Sequence, residues 1–154
     1  VHTLRLALTL LCLSGTVQAT CWQSAANRYH IDPLLLYAIA KVESNLYPHA
    51  RNINSDGSQD IGLMQINSRH LPALAQFGIT EQHLMTQPCT SVMVGAWILA
   101  GFIREKGYGW QAVGAYNAGA KPGRDQRRAR YARAVWRYYG ELLQQRQRLA
   151  RQTP

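Results

Sequence analysis

The 154-residue chain carries only eight carboxylic side chains, and two of them sit where their surroundings could give them chemistry. Glu43 closes an apolar run that begins at Leu34 and includes Leu35, Ile39 and Val42. Apolar surroundings raise a glutamate's pKa and favour the protonated form that can donate to a leaving oxygen. Asp60 follows a polar turn over residues 52–58, a setting that keeps a carboxylate ionised. Two carboxyls in contrasting environments form the general pattern of glycosidic bond cleavage. Each also has a plainer reading that the residues alone leave open. Glu43 would be a helix-end carboxylate paired with Lys or Arg, and Asp60 a turn residue satisfying backbone N–H groups.

The elements that must position these groups are mostly helical. Residues 21–29 read as a short first helix. Asp32-Pro33 supplies an N-cap and a proline at the first helical position, so residues 34–42 predict a central buried helix ending at Glu43-Ser44-Asn45. Residues 52–58 lack helical periodicity, and residues 61–66 alternate loosely, predicting one edge of a small antiparallel hairpin. Asn67-Ser68 caps a helix through Ala75 and Thr80 caps another before Pro88. Thr90 or Ser91 starts a long amphipathic helix to about Lys106. Gly107-Tyr108-Gly109 breaks it, and the next helix begins at Trp110. A helix from about Asp125 to Tyr139 is expected to be interrupted at Gly140, leaving residues 141–154 as a polar tail.

Length and composition predict one domain. Residues 1–19 combine a mildly basic start, an apolar core over residues 6–13 and a small-residue exit, which describes a secretory signal peptide cleaved after Ala19. The run is too short to span a bilayer comfortably. The expected organisation is thus a signal peptide (1–19), a catalytic domain (20–140) and a basic tail (141–154). Beyond residue 19 two cysteines remain, Cys21 and Cys89. In an exported protein such a pair reads as one disulfide, worth roughly 4 kcal/mol by loop-closure entropy. No structural metal is expected, because the histidine spacing or second close cysteine pair that zinc needs is missing, and no cofactor is expected.

Seventeen basic residues against eight acidic ones give a formal charge of +9. The surplus is local. Residues 20–120 hold six basic and six acidic groups, whereas residues 121–154 hold ten and two. Charge alone permits attraction to any polyanion. Nucleic acid is set aside as a partner, since no nucleic-acid-binding module is recognisable and export would separate the chain from it.

Three segments resemble the lytic transglycosylases of the lysozyme-like superfamily, in the group of small exported enzymes associated with type III and type IV secretion and pilus assembly. Ala40-Lys41-Val42-Glu43-Ser44 is similar to that family's catalytic glutamate followed by serine. Gly62-Leu63-Met64-Gln65-Ile66 is nearly identical to its glycine-leucine-methionine-glutamine block, and Ala115-Tyr116-Asn117-Ala118-Gly119 to its groove-lining block. Tyr131 resembles the later tyrosine whose hydroxyl lies close to the catalytic acid. The matches run in the family's order from about residue 21 to residue 136.

The resemblance implies a predominantly helical α+β, lysozyme-like fold with a small β-hairpin region. It implies a periplasmic enzyme that cuts the MurNAc–GlcNAc bond of peptidoglycan and leaves a 1,6-anhydro end, opening the wall locally for a secretion or pilus apparatus. Glu43 would protonate the glycosidic oxygen and then take a proton back from the sugar's C6 hydroxyl. Gln65 and Asn117 would meet N-acetyl and hydroxyl groups, Tyr116 and Tyr131 would add amphipathic surface, and Ser44 would hydrogen-bond near Glu43 or simply end the helix. Gly62 and Met64 complete the expected substrate-binding set, with backbone geometry and core packing as their plainer readings.

Asp60 departs from the family pattern. Residues 56–68 also resemble the hairpin of animal lysozymes, and Asp60, seventeen residues after Glu43, matches the position of their second catalytic aspartate. Two alternatives therefore stand beside transglycosylation. One is a lysozyme-type hydrolase using Glu43 and Asp60. The other is a non-catalytic peptidoglycan-binding component of the apparatus, whose expected partners are glycan strands and a secretion or pilus protein.

Overall fold

Asp32 starts the central helix as its sequence demands: its carboxylate accepts from the Leu34 N–H at 2.8 Å while Pro33 occupies the first turn. This helix, α2 (Pro33–Ser44), carries Leu36, Ala38, Ile39 and Ala40 with no exposed surface. Asn45 ends it in the left-handed conformation, φ 52°, returning its N–H to the carbonyls of Ala40 and Lys41. A computed structural model describes residues 14–152. Before α2 lies α1 (Ser14–Tyr29). It takes in the last residues of the expected signal peptide, while residues 1–13 lie outside the described residues.

Three short strands follow, β1 (Arg51–Ile53), β2 (Gln59–Ile61) and β3 (Ile66–Asn67), in one antiparallel sheet of order β1-β2-β3. The expected strand edge over residues 61–66 is corrected. Only its two ends pair, with Ile61 opposite Ile66, and residues 62–65 form a buried turn. The reason is backbone geometry. Gly62 and Gln65 take φ of +73° and +49°, which no extended strand tolerates. A Cβ on Gly62 would stand 2.3 Å from the Leu84 carbonyl oxygen.

Asn67 caps a 3-10 turn (Ser68–His70) that runs into α3 (Leu71–Ala75), and Thr80 with His83 forms a reciprocal cap on α4 (Glu81–Thr86). Next come α5 (Pro88–Lys106), α6 (Trp110–Ala118) and α7 (Asp125–Gln152). α5 begins two residues before the expected start, with Pro88 at the first helical turn, where its missing N–H costs nothing. Cys21 of α1 and Cys89 of α5 are joined by a disulfide with Cα atoms 5.2 Å apart.

α7 does not stop at Gly140. A helical glycine costs only about 1 kcal/mol, and the good helix formers on both sides carry the helix through it. Leu142 still packs against the core. α7 lies along α2 and α6, and its close approach to α6 needs Gly114, where a Cβ would stand 2.6 Å from the Arg128 carbonyl oxygen. Predominantly helical with one small sheet, the molecule has a lysozyme-like α+β architecture.

Two glycines should respond to alanine with opposite sign. Gly62→Ala meets both a positive φ and the Leu84 backbone, so urea unfolding should show a loss of at least about 2 kcal/mol. Nothing lies within 4 Å of a Cβ on helical Gly140, so Gly140→Ala should add about 0.5–1 kcal/mol.

Candidate functional site

Glu43 sits in the last turn of α2, where the αL residues Asn45 and Leu46 (φ 52° and 64°) turn the chain toward the sheet. Its carboxyl is surrounded by protein while the residue stays partly exposed. From α7, the buried Tyr131 donates its hydroxyl to Glu43 Oε1 at 2.5 Å. Burial pushes the Glu43 pKa from its ordinary 4.5 up to about 7. The Tyr131 hydrogen bond, which favours the anion, offsets part of that rise, and the negative charge of Asp60 adds to it. Burial and the Glu43 charge hold the Tyr131 phenol well above its usual range, so it remains a donor.

Asp60 is on β2, close enough to Glu43 for its charge to be felt. Both of its oxygens accept from side-chain amides: Oδ1 from Asn67 at 2.8 Å and Oδ2 from Asn54 at 3.1 Å. Asn67 also donates to Ser58, so the carboxylate ties the strand ends together. Neither partner was singled out by sequence reasoning as a ligand of Asp60. Asn67 carried a signal, but one that pointed to a helix cap, which it also forms by accepting from the Arg69 N–H.

The remaining expected residues divide between scaffold and groove. Ser44 Oγ donates to the carbonyls of Leu63 (2.7 Å) and Ala40 (3.2 Å). Tyr116, on α6, donates to the Met64 carbonyl at 2.9 Å. Gln65 is 9% exposed, and its amide is spent on the carbonyls of Gly62 and Ala50 while its oxygen accepts from Asn52 at 2.6 Å. Met64 is fully buried, its N–H held by the buried Ser91 hydroxyl at 3.1 Å. Gly62 makes the turn described above. Asn117, by contrast, is exposed on the last turn of α6. Glu43, Asp60, Tyr116 and Tyr131 thus gather electrostatically around one point, with Ser44, Gln65 and Met64 holding the turn beneath it.

Arg128 was not anticipated. It is 6% exposed and donates to the carbonyls of Gly119 and Lys121, both at 3.0 Å, and to Asp125. In this way it fixes the loop after Asn117. The sequence signal was weak, since Arg128 is one of many arginines in its segment. Among the described residues no group of three or more His, Cys, Asp or Glu is arranged to hold a metal. Chemically, a carboxyl that titrates near 7 can hand over a proton or donate a hydrogen bond to a sugar oxygen, and the geometry is common to both.

A lysozyme-like helical body with a carboxyl at the helix–sheet junction defines the class. A sequence model of the Transglycosylase SLT domain matches residues 20–139, and the chain belongs to that family. It is 49% identical over 128 residues to the invasion protein IagB of Salmonella typhimurium, covering 83% of this chain and 80% of that one. It is 43% identical over 136 residues to protein IpgF of Shigella flexneri, covering 88% and 90%. The X-ray structure of an inactive mutant of the lytic transglycosylase Slt from Pseudomonas aeruginosa superposes with a TM-score of 0.64 at 22% identity. That match takes in 84% of this chain but only 25% of the other, and at such identity it shows the fold alone.

These findings correct the expected activity. Of these two relatives, each aligned along most of the chain, one is named for invasion and the other is given no activity, and neither name states glycan cleavage. The transglycosylase name enters through a family and a fold, which do not by themselves carry a reaction. The expectation of an enzyme, with its lyase or glycosidase chemistry and its anhydro product, is therefore withdrawn. Membership of the Transglycosylase SLT family and the lysozyme-like fold remain.

The Glu43 carboxyl generates a pH prediction. Its pKa is higher folded than unfolded, so its contribution to stability is fully present below about 4.5 and is lost as pH rises through about 7. Glu43→Gln removes that loss and keeps an oxygen for the Tyr131 hydroxyl. Denaturant unfolding should show the two proteins diverging between pH 4.5 and 7.5. The Gln variant should become the more stable by at most about 3 kcal/mol at the upper end, and parallel curves would place the carboxyl in water.

Proposed function

We propose that the chain binds peptidoglycan glycan strands in the periplasm as a non-catalytic component of a secretion apparatus. The observation that supports it most is the similarity to the invasion protein IagB over 83% of the chain. The groove chemistry fits a glycan. Glu43, half protonated near pH 7, offers a hydrogen-bond donor to a sugar oxygen. Asn117 offers an exposed amide that can both donate and accept. Asp60, held by two amides, lies close enough for its charge to act on Glu43. Among the described residues no helix is long and apolar enough to cross a membrane.

Sedimentation with purified sacculi tests this reading, combined with mass analysis of the supernatant. The chain should co-sediment at pH 6 and bind several-fold more weakly at pH 8.5, where Glu43 has lost its donor. Glu43→Ala should weaken binding about five- to tenfold and Glu43→Gln much less, since an amide still donates. The supernatant should hold no more muropeptide than a blank. Release of muropeptides, anhydro or hydrated, that Glu43→Gln abolishes would overturn the non-catalytic assignment. Failure to sediment at either pH would overturn the glycan assignment.

A further inference from the structure

The end of α2 remote from Glu43 meets a second surface, in which four aromatic rings gather. Trp110 stands between two cavities of about 380 and 340 Å³. One is bordered by Trp136, Arg128 and Arg133, the other by Tyr108 and Tyr139. Trp136 is 51% exposed, Tyr108 58% and Trp110 39%. Large rings left this open in a cluster mark a surface that covers something. The Trp110 and Trp136 rings meet edge to face, 5.2 Å apart at 80°, and Tyr139 closes on both. Tyr139 and Tyr108 are in turn fixed by hydrogen bonds with Asp32, at 2.9 and 3.2 Å. Asp32 and Glu43 lie at opposite ends of α2, and eleven residues of helical rise place the Asp32 end of this surface about 16 Å from Glu43.

We infer that this aromatic surface docks an acidic peptide segment of a partner protein through two large apolar side chains, one on each side of Trp110. Three observations select that occupant. The rings interlock at steep angles and enclose two corners, each suited to one side chain. They do not offer the row of open, parallel ring faces on which successive sugars would stack. The border of the Trp136 cavity carries two arginines and no carboxylate, Arg128 paired with Asp125 and Arg133 without a salt bridge among the described residues. Arg133 is exposed at the cavity and supplies the accessible cation. Tryptophan, tyrosine and arginine together are the residue types that dominate protein docking sites, and a cationic rim selects acidic partners and speeds their encounter. The inference rests on the partner half of the reading above and is independent of its glycan half.

Fluorescence anisotropy with three labelled twelve-residue peptides tests it on the full chain. Each has two phenylalanines four positions apart, and the other positions are all Glu, all Gln or all Lys. The Glu peptide should bind at least tenfold more tightly than the Gln peptide and the Lys peptide not at all. Trp136→Ala and Arg133→Glu, both at exposed positions, should each weaken the Glu peptide tenfold or more while leaving sedimentation with sacculi unchanged. Equal binding of the Glu and Gln peptides, undiminished binding by both variants, or displacement of the peptide by tri-N-acetylchitotriose would overturn the proposal. Glu-peptide binding that survives when the chain fails to sediment with sacculi would support the docking surface and remove the glycan reading alone.

Discussion

The contact between α2 and α7 is held at both ends by a tyrosine of one helix bonded to an acid of the other. Tyr131 donates to Glu43 at 2.5 Å and Tyr139 to Asp32 at 2.9 Å. Between them lies close apolar packing, with Leu36, Ile39 and Val135 wholly buried. Because the helices run antiparallel, the acid at the C-terminal end of α2 meets the earlier tyrosine of α7, and the N-cap acid meets the later one. Shifting either helix by one residue would misplace both bonds and turn the apolar stripe. Each bond also has a second consequence. At one end the buried phenol and carboxyl share a proton-rich, poorly hydrated corner, and at the other the same chemistry fixes an aromatic surface.

The sheet contributes by what it holds in place. Asp60 is anchored by Asn54 and Asn67, and the turn over residues 62–65 is anchored by Ser44, Ser91 and Tyr116 through backbone groups. The polar side chains that a groove would be expected to point at a ligand are largely occupied beneath it. Burying them without partners would cost about 1–3 kcal/mol each, so their satisfaction follows from the left-handed turn that Gly62 and Gln65 make. Of the expected site residues, Asn117 is exposed, and Glu43 and Asp60 are partly so. A surface with few free donors, fixed in position, favours an ordered polar ligand over an apolar one.

Much of this was legible in the sequence because it rests on local rules. Asp32-Pro33 announced α2, Thr80 announced α4, and the apolar run before Glu43 announced a carboxyl with a raised pKa. The pairing of Cys21 with Cys89 followed from there being two cysteines after the expected leader. The less legible parts depend on contacts distant in sequence. Residues 61–66 alternate like a strand, yet the Leu84 carbonyl leaves room for no side chain at position 62, and nothing near that position records it. Gly140 looked like a stop, but its helix is carried by neighbours on both sides and by Leu142 against the core. Gln65 and Tyr116 looked like ligands for a sugar because their types suit that role, and only the fold shows which backbone carbonyls they meet.

The charge distribution links the two ends of the α2–α7 pair to separate tasks. A globally basic protein would attract polyanions everywhere, but here residues 20–120 balance and the surplus lies on residues 121–154. Those residues form α7 and the loop before it, so the cations run along one helix instead of surrounding the Glu43 groove. Their repulsion would fray a helix in isolation. It is tolerated because α7 has a wide buried stripe, with Tyr131, Ala132 and Val135 packed inward, and because Asp125 and Asp32 each take one arginine, Arg128 and Arg146. Of the rest, Arg133 is exposed beside Trp110 and Trp136. One helix thus holds Glu43 in register through Tyr131 on one side and carries the exposed Arg133 and Trp136 on another.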